Sequence, residues 1–217
     1  KINGGNGLDA AQNNGSQSLM IWESTDLVNW SDERMVEVSA AIGAGCTWAP
    51  EATYDEKTGE YVVYWASRTP SVDTKQRLYY VKTRDFYTFT EPKLYIEKDQ
   101  SSIDTTMIEH NGTYYRFTKN EGGSTNSLGA KTKTIFLEKS DSVLGNFTQI
   151  ASDSLNSNQY VEGPTIFKLN QDDTDGTDKW CLLVDDFGGG GYYPLVTTDL
   201  ESGVFTKPES GTYKMPS

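Results

Sequence analysis

Short apolar runs broken by polar turns extend along the whole chain, and they predict strands rather than helices. Ala52-Thr-Tyr-Asp-Glu-Lys-Thr-Gly59-Glu-Tyr-Val-Val-Tyr-Trp65 reads as strand, turn, strand. Thr106-Met-Ile-Glu-His-Asn-Gly112-Thr-Tyr-Tyr-Arg-Phe117 has the same form, with Asn111-Gly112 as a two-residue hairpin signal. A third copy joins Thr165-Ile-Phe-Lys-Leu-Asn170 to Trp180-Cys-Leu-Leu-Val184 through a longer acidic turn. Leu78-Tyr-Tyr-Val-Lys82 and Leu94-Tyr-Ile-Glu97 supply two further strands.

A second pattern punctuates the first. Trp22-Glu-Ser-Thr-Asp26-Leu-Val-Asn-Trp30 is echoed by Tyr80-Val-Lys-Thr-Arg-Asp85-Phe-Tyr-Thr-Phe89. Further copies are Glu138-Lys-Ser-Asp141-Ser-Val-Leu-Gly-Asn-Phe147 and Val196-Thr-Thr-Asp199-Leu-Glu-Ser-Gly-Val-Phe205. The aspartates fall at 26, 85, 141 and 199, spacings of 59, 56 and 58. Each copy reads as a turn in which Ser or Thr with Asp bonds its own backbone. One repeat therefore holds four short strands in about 57 residues, with no amphipathic helical stretch between. That is the signature of a propeller blade. The chain is expected to be one all-β domain over residues 1–217 with about 3.7 repeats visible. That number does not close a circle, so at least one blade is expected to be missing or divided. The start at Lys1-Ile-Asn-Gly-Gly, without an initiator Met, reads as a piece of something longer.

Composition narrows the function. A chain of 217 residues is long enough for a real core, and 20 glycines with 13 tyrosines suit strands joined by tight turns. A net charge of −12 argues against nucleic acid and anionic membrane surfaces as partners, whereas neutral sugars suit an acidic surface rich in Tyr and Trp. No apolar run approaches the length of a membrane span, and the first residues do not read as a signal peptide. Cys46 and Cys181 could pair, but neither belongs to a dense disulfide framework.

Candidate chemistry lies at the starts of the inner strands. Pro50, Asp104 and Glu162 each stand four residues before an apolar strand position, Tyr54, Ile108 and Ile166. If the three are equivalent, Asp104 and Glu162 project into one axial depression from neighbouring blades. Two carboxylates in one pocket are the minimal kit for glycosidic bond hydrolysis, with one of them kept protonated by burial and by its neighbour's charge. A solvated strand end is the ordinary alternative for either one. Trp48 is expected on the same rim, where its ring suits stacking on a sugar; a core Trp is the alternative. Long connections rich in small polar residues follow each second strand, at 3–16, 68–75, 119–127 and 185–191, and suggest a binding face.

Other signals are set aside. Residues 170–178 look like a calcium loop, but Gln171 replaces the first ligand and Leu182 the closing Glu, so a solvated turn is expected. The stretch 123–132 lacks the spacing of a phosphate-binding loop, and no Cys/His cluster has zinc spacing. Asn111-Gly-Thr and Asn146-Phe-Thr are glycosylation sequons only in a eukaryotic secretory context. His110, in a hairpin turn, is expected to face solvent.

Taken in order, Ser24-Thr-Asp-Leu-Val-Asn-Trp30, Trp48-Ala-Pro-Glu51, Ile103-Asp104 and Glu162-Gly-Pro164 carry a family resemblance. Through almost its whole length the chain resembles the catalytic domain of glycoside hydrolase family 43. These are five-bladed β-propellers with four-stranded antiparallel blades, and they include arabinofuranosidases and β-xylosidases. The resemblance implies an inverting hydrolase in which Glu162 is the general acid. It makes Asp104 the residue that tunes the acid's pKa and helps place the sugar. The third member of the family's set, an aspartate base on the first inner strand, has no counterpart here and is expected upstream of Lys1. The fifth blade, whose inner strand often carries a His near the axis, has no match after Ser217. Without that base the chain alone is expected to be nearly inactive. The resemblance leaves room for a structural calcium ion that no motif supports, and no cofactor is expected.

The leading expectation is an α-L-arabinofuranosidase acting on the side chains of plant polysaccharide. A β-xylosidase, a galactan-cleaving glycosidase and a non-catalytic carbohydrate-binding propeller are the alternatives. The partner expected is an oligo- or polysaccharide, and secretion or a bacterial cell surface follows from that function alone. A sialidase-like propeller is set aside, because the five arginines (34, 68, 77, 84 and 116) do not occupy inner-strand starts.

Overall fold

Strands form where the apolar runs stand. The computed structural model describes residues 7–209, which fall into two compact units divided between Glu97 and Lys98. In the first, β1 (Ser18–Ile21) pairs antiparallel with β2 (Arg34–Glu37). The strands β3 (Trp48–Asp55), β4 (Glu60–Arg68), β5 (Gln76–Thr83) and β6 (Lys93–Ile96) then form a four-stranded antiparallel sheet in chain order. β4 reads as an unbroken apolar run because both of its faces are covered, burying Val62, Tyr64, Trp65 and Ala66. Leu19, Val38, Val63, Trp65, Tyr79 and Val81 make the core of this unit.

The second unit repeats the plan. β7 (Ser102–His110), β8 (Thr113–Asn120), β9 (Ile135–Ser140) and β10 (Thr148–Ile150) form another four-stranded antiparallel blade. β11 (Val161–Lys168), β12 (Trp180–Asp186) and β13 (Gly191–Thr197) follow as a three-stranded sheet. Its fourth member shrinks to one bridge, in which Val196 and Thr206 exchange two backbone bonds of 2.8 Å. Phe117, Leu137, Val161, Leu182, Val184 and Leu195 centre the core shared by these two sheets. The fold is thus all-β and of the propeller type, with two four-stranded antiparallel blades among the described residues.

Several local features follow the residues closely. Asn111 and Gly112 take φ of 51° and 80°, the paired left-handed geometry that a two-residue hairpin demands. The outer turns close as Asx and Ser/Thr turns. Asp26 Oδ1 accepts from the amides of Val28 and Asn29, Asp85 Oδ1 from Tyr87 and Thr88, and Asp199 Oδ1 from Glu201. The hydroxyls of Ser24, Thr83 and Thr197 each accept from the aspartate two residues on. In the remaining copy Ser140 Oγ accepts from Ser142 N–H, so Ser142 stands where Asp141 was expected.

Other expectations need correction. Part of the segment read as a polar loop forms a helix, α1 (Gly7–Asn13), closed by an Asn13-to-Asp9 side-chain bond; its residues 3–6 lie outside the described ones. A second helix, α2 (Asp153–Ser157), is capped by Ser152, whose Oγ accepts from Leu155 N–H. The glycine-rich connection at 185–191 is tighter than expected, because β12 runs to Asp186 and β13 begins at Gly191. His110 does not stand free: its ring packs edge-on against Trp180, centroids 4.7 Å apart. Both cysteines are buried free thiols.

Leu182 is fully buried in the core of the second unit. Leu182→Ala is therefore expected to lower stability by about 2–5 kcal/mol, measured by urea denaturation. A loss below about 1 kcal/mol would show that this core collapses around the missing atoms.

Candidate functional site in the second unit

One extra residue interrupts the start of each inner strand. The register shifts between Trp48 and Glu51 in β3, between Ile103 and Thr105 in β7, and between Glu162 and Thr165 in β11. Each of these bulges contains a residue with positive φ: Ala49 at 46°, Asp104 at 49° and Gly163 at 51°. Those three residues are the structural equivalents. This corrects the expected equivalence of Pro50, Asp104 and Glu162: Glu162 matches Ile103 and Trp48, one step earlier on its strand. Left-handed geometry costs a residue with a Cβ about 1–2 kcal/mol, and Asp is among the types that tolerate it best. At 163 glycine answers two demands, since a Cβ there would also lie 3.1 Å from the Tyr192 hydroxyl.

The offset brings the two candidate carboxylates together. Asp104 Oδ2 accepts a hydrogen bond from the backbone N–H of Gly163 at 3.1 Å, directly beside Glu162. A little further along, Thr106 Oγ1 accepts from Ile166 N–H at 3.4 Å and ties β7 to β11 again. Glu162 keeps 39% of its side chain exposed and accepts through Oε2 from Lys119 Nζ at 2.8 Å. The Lys119 side chain is only 2% exposed, and its ammonium also pairs with Glu121 Oε2 at 2.7 Å. Glu121 is held in turn by Lys133, with Nζ 2.6 Å from Oε1. The result is a row of alternating charges, Lys133, Glu121, Lys119 and Glu162. Phe187 closes another side, with its ring centroid 4.7 Å from the Lys119 ammonium and its edge against Tyr160.

These contacts set the electrostatics. Burial pushes the Asp104 carboxyl up, assisted by the negative charges of Glu162 and Glu121; the Gly163 amide and the Lys119 ammonium pull the other way without prevailing. Burial alone would lower Lys119, but its bonds to Glu121 and Glu162 outweigh that, and its pKa rises above the ordinary value. Glu121 is subject to a burial penalty, yet the two lysines bring it below the ordinary carboxylate value. The Tyr192 phenol is raised by burial first, then by Asp185, Asp104 and Glu162.

Lys119, Glu121, Lys133, Tyr192 and Phe187 were not singled out from the sequence. Lys119-Asn120-Glu121 read as the start of a polar loop, although its period-2 spacing already placed Lys119 and Glu121 on one side of an extended segment. Trp48 lies in the first unit, partly exposed at the head of β3 and paired with Ala66. That unit also holds a cavity of about 590 Å³ lined by Leu19, Ile21, Trp22, Trp30, Pro50 and Glu51 among others. Among the described residues no group of three or more His, Cys, Asp or Glu could hold a metal ion. None of their helices is long and apolar enough to cross a membrane.

Comparisons with known proteins give the family and the fold. Residues 1–217 match a family-43-related model whose description is "Probable glycosyl hydrolase domain". An α-L-arabinofuranosidase of Bifidobacterium longum subsp. longum is 35% identical over 97% of this chain, which spans 22% of that protein's length. A thermostable family-43 glycoside hydrolase superposes with a TM-score of 0.63 at 15% identity, covering 88% of this chain and 64% of that one. An α-L-arabinofuranosidase from Podospora anserina, solved with cellotriose, gives 0.58 at 13% identity over 88% and 58%. At such identities the structures show a common fold.

The Asp104 carboxyl also carries a stability signature. Its folded pKa lies above the ordinary value of 3.8, so its contribution to stability is full below that value and lost as pH rises through the raised one. Asp104→Asn keeps an acceptor for Gly163 and tolerates the positive φ. Relative to wild type, the variant is expected to gain stability as pH rises from the ordinary carboxyl value of 3.8 toward neutral, followed by urea denaturation. A difference that stays constant across that range would contradict the raised carboxyl.

Proposed function

This chain belongs to the family of glycosyl hydrolase domains related to family 43, and on that premise we propose that it carries catalytic groups of an α-L-arabinofuranosidase. The observation behind this reading is the bond from Gly163 N–H to Asp104 Oδ2, which holds two carboxylates at the bulged heads of adjacent inner strands. The arabinofuranosidase from Bifidobacterium longum subsp. longum directs the choice of sugar.

In this reading the substrate is a saccharide with a terminal arabinofuranosyl unit. Glu162, partly open to solvent, donates a proton to the glycosidic oxygen as the bond from the anomeric carbon breaks. The electron pair leaves with that oxygen, and water adds to the opposite face of the oxocarbenium-like sugar, losing a proton to a general base, a role assigned to none of the described residues. Asp104 works from within. It anchors the bend that presents Glu162 by accepting from the Gly163 amide.

Hydrolysis of 4-nitrophenyl α-L-arabinofuranoside by the full-length protein tests the assignment. Glu162→Gln is expected to lower kcat/KM by about 10²–10⁴-fold, the usual worth of a general acid. Asp104→Asn should also lower it while leaving the fold intact. Undiminished rates in both variants would remove these residues from the mechanism. Faster cleavage of the matching β-xyloside or β-galactoside would move the substrate assignment to that sugar.

A further inference from the structure

We propose that Lys119 is a positioning residue for Glu162: it holds one carboxylate oxygen and leaves the other to carry the transferred proton. The inference rests on the reading of Glu162 as the proton donor.

The placement of Lys119 is unusual for a lysine. A buried ammonium is costly to desolvate, and lysine ordinarily snorkels its charge to water. Here the side chain is almost fully buried and meets acidic or aromatic groups on three sides: Glu162 at 2.8 Å, Glu121 at 2.7 Å and the Phe187 ring at 4.7 Å. Its backbone is fixed as well, since Lys119 pairs with Ile103 across the β7–β8 ladder, immediately before the Asp104 bulge. The ammonium therefore reaches Glu162 from a rigid strand rather than from a loop.

A second buried cation on β8 shows what a purely structural pair looks like. Arg116 binds Glu138 at 2.7 Å, and both side chains are almost wholly withdrawn from water. Lys119 differs because one of its carboxylates, Glu162, stays open to an incoming molecule. Its bond goes to Oε2, whereas Oε1 has no hydrogen bond among the described residues. Oε1 is then the oxygen that carries the proton. As that proton passes to the glycosidic oxygen, negative charge develops on the Glu162 carboxyl, and the Lys119 ammonium is already bonded to it. Glu121 and Lys133 complete the row and keep Lys119 aimed, so that binding substrate requires no rearrangement.

The test exploits leaving groups. Methyl α-L-arabinofuranoside needs a proton to depart, whereas the 2,4-dinitrophenyl glycoside departs with little help. In the full-length enzyme Lys119→Met is expected to lower kcat/KM for the methyl glycoside by about 10²-fold while barely changing the dinitrophenyl substrate. Glu162→Gln, measured alongside, should show the same selectivity more strongly. Should Lys119→Met not fold, the double variant Lys119→Met with Glu121→Gln removes the pair together and is expected to show the same selectivity. Equal losses on both substrates, or no loss on either, in the folded Lys119 variant overturn the proposal while Glu162→Gln remains selective. If Glu162→Gln is itself unselective, or the wild type cleaves neither substrate, the proton-donor reading falls and this inference falls with it.

Discussion

Each inner strand carries one residue more than its neighbour can pair, and in each the surplus is absorbed by a residue with positive φ. At Ala49, Asp104 and Gly163 the ladder gives way and the strand bends. A bulge of this kind is cheapest with glycine, and only β11 uses one. In β7 the position is occupied by an aspartate, which accepts the strain and turns its carboxylate toward the glycine of the next bulge. The hydrogen bond between them defines the site: it sets the direction of the Glu162 backbone and draws Asp104 out of water. It also places Lys119, whose ladder partner Ile103 immediately precedes the bulge.

Charge is then managed within a small volume. Asp104, Glu162 and Glu121 gather in a protein of net charge −12, and their mutual repulsion would be hard to sustain without compensation. Lys119 and Lys133 supply it in alternation, so that each carboxylate in the row has a cation next to it and each cation a carboxylate. Asp104 lies beside this row, with a backbone amide as its hydrogen-bond donor. It is accordingly the carboxyl that burial raises. A cluster arranged in this way offers both a group poised to hold a proton and a fixed electrostatic frame around it.

Much of the fold was legible in the residues. Asn111-Gly112 demanded a left-handed pair and received it, and the Ser/Thr-x-Asp turns close on their own amides at 24–29, 83–88 and 197–201. The run Tyr61-Val-Val-Tyr-Trp-Ala66 became a strand covered on both faces. Where the reading slipped, the cause was a local competition that pattern alone does not rank. Ser142 takes the place expected of Asp141 because a hydroxyl two residues back decides the turn, whichever aspartate is nearby. The segment from Gly7 coiled into a helix because Leu8, Ala10, Ala11 and Gln12 are good helix formers, although the helix buries no residue. His110 found Trp180 through a contact between neighbouring sheets that no short-range pattern records.

The sequence by itself determined the class of architecture and the repeat, and it singled out Asp104 and Glu162, because strand period, turn chemistry and repeat spacing are local or periodic properties. Only the tertiary structure decided how those carboxylates relate. A bulge adds one residue without changing the alternation on either side, so counting back from apolar positions placed Asp104 and Glu162 in the same register when they stand one step apart. The partners that give them chemistry come from other strands: Lys119 from β8, Tyr192 from β13 and the Gly163 amide from β11. Such groups meet through packing and hydrogen bonding across a sheet, and nothing in their spacing along the chain announces it.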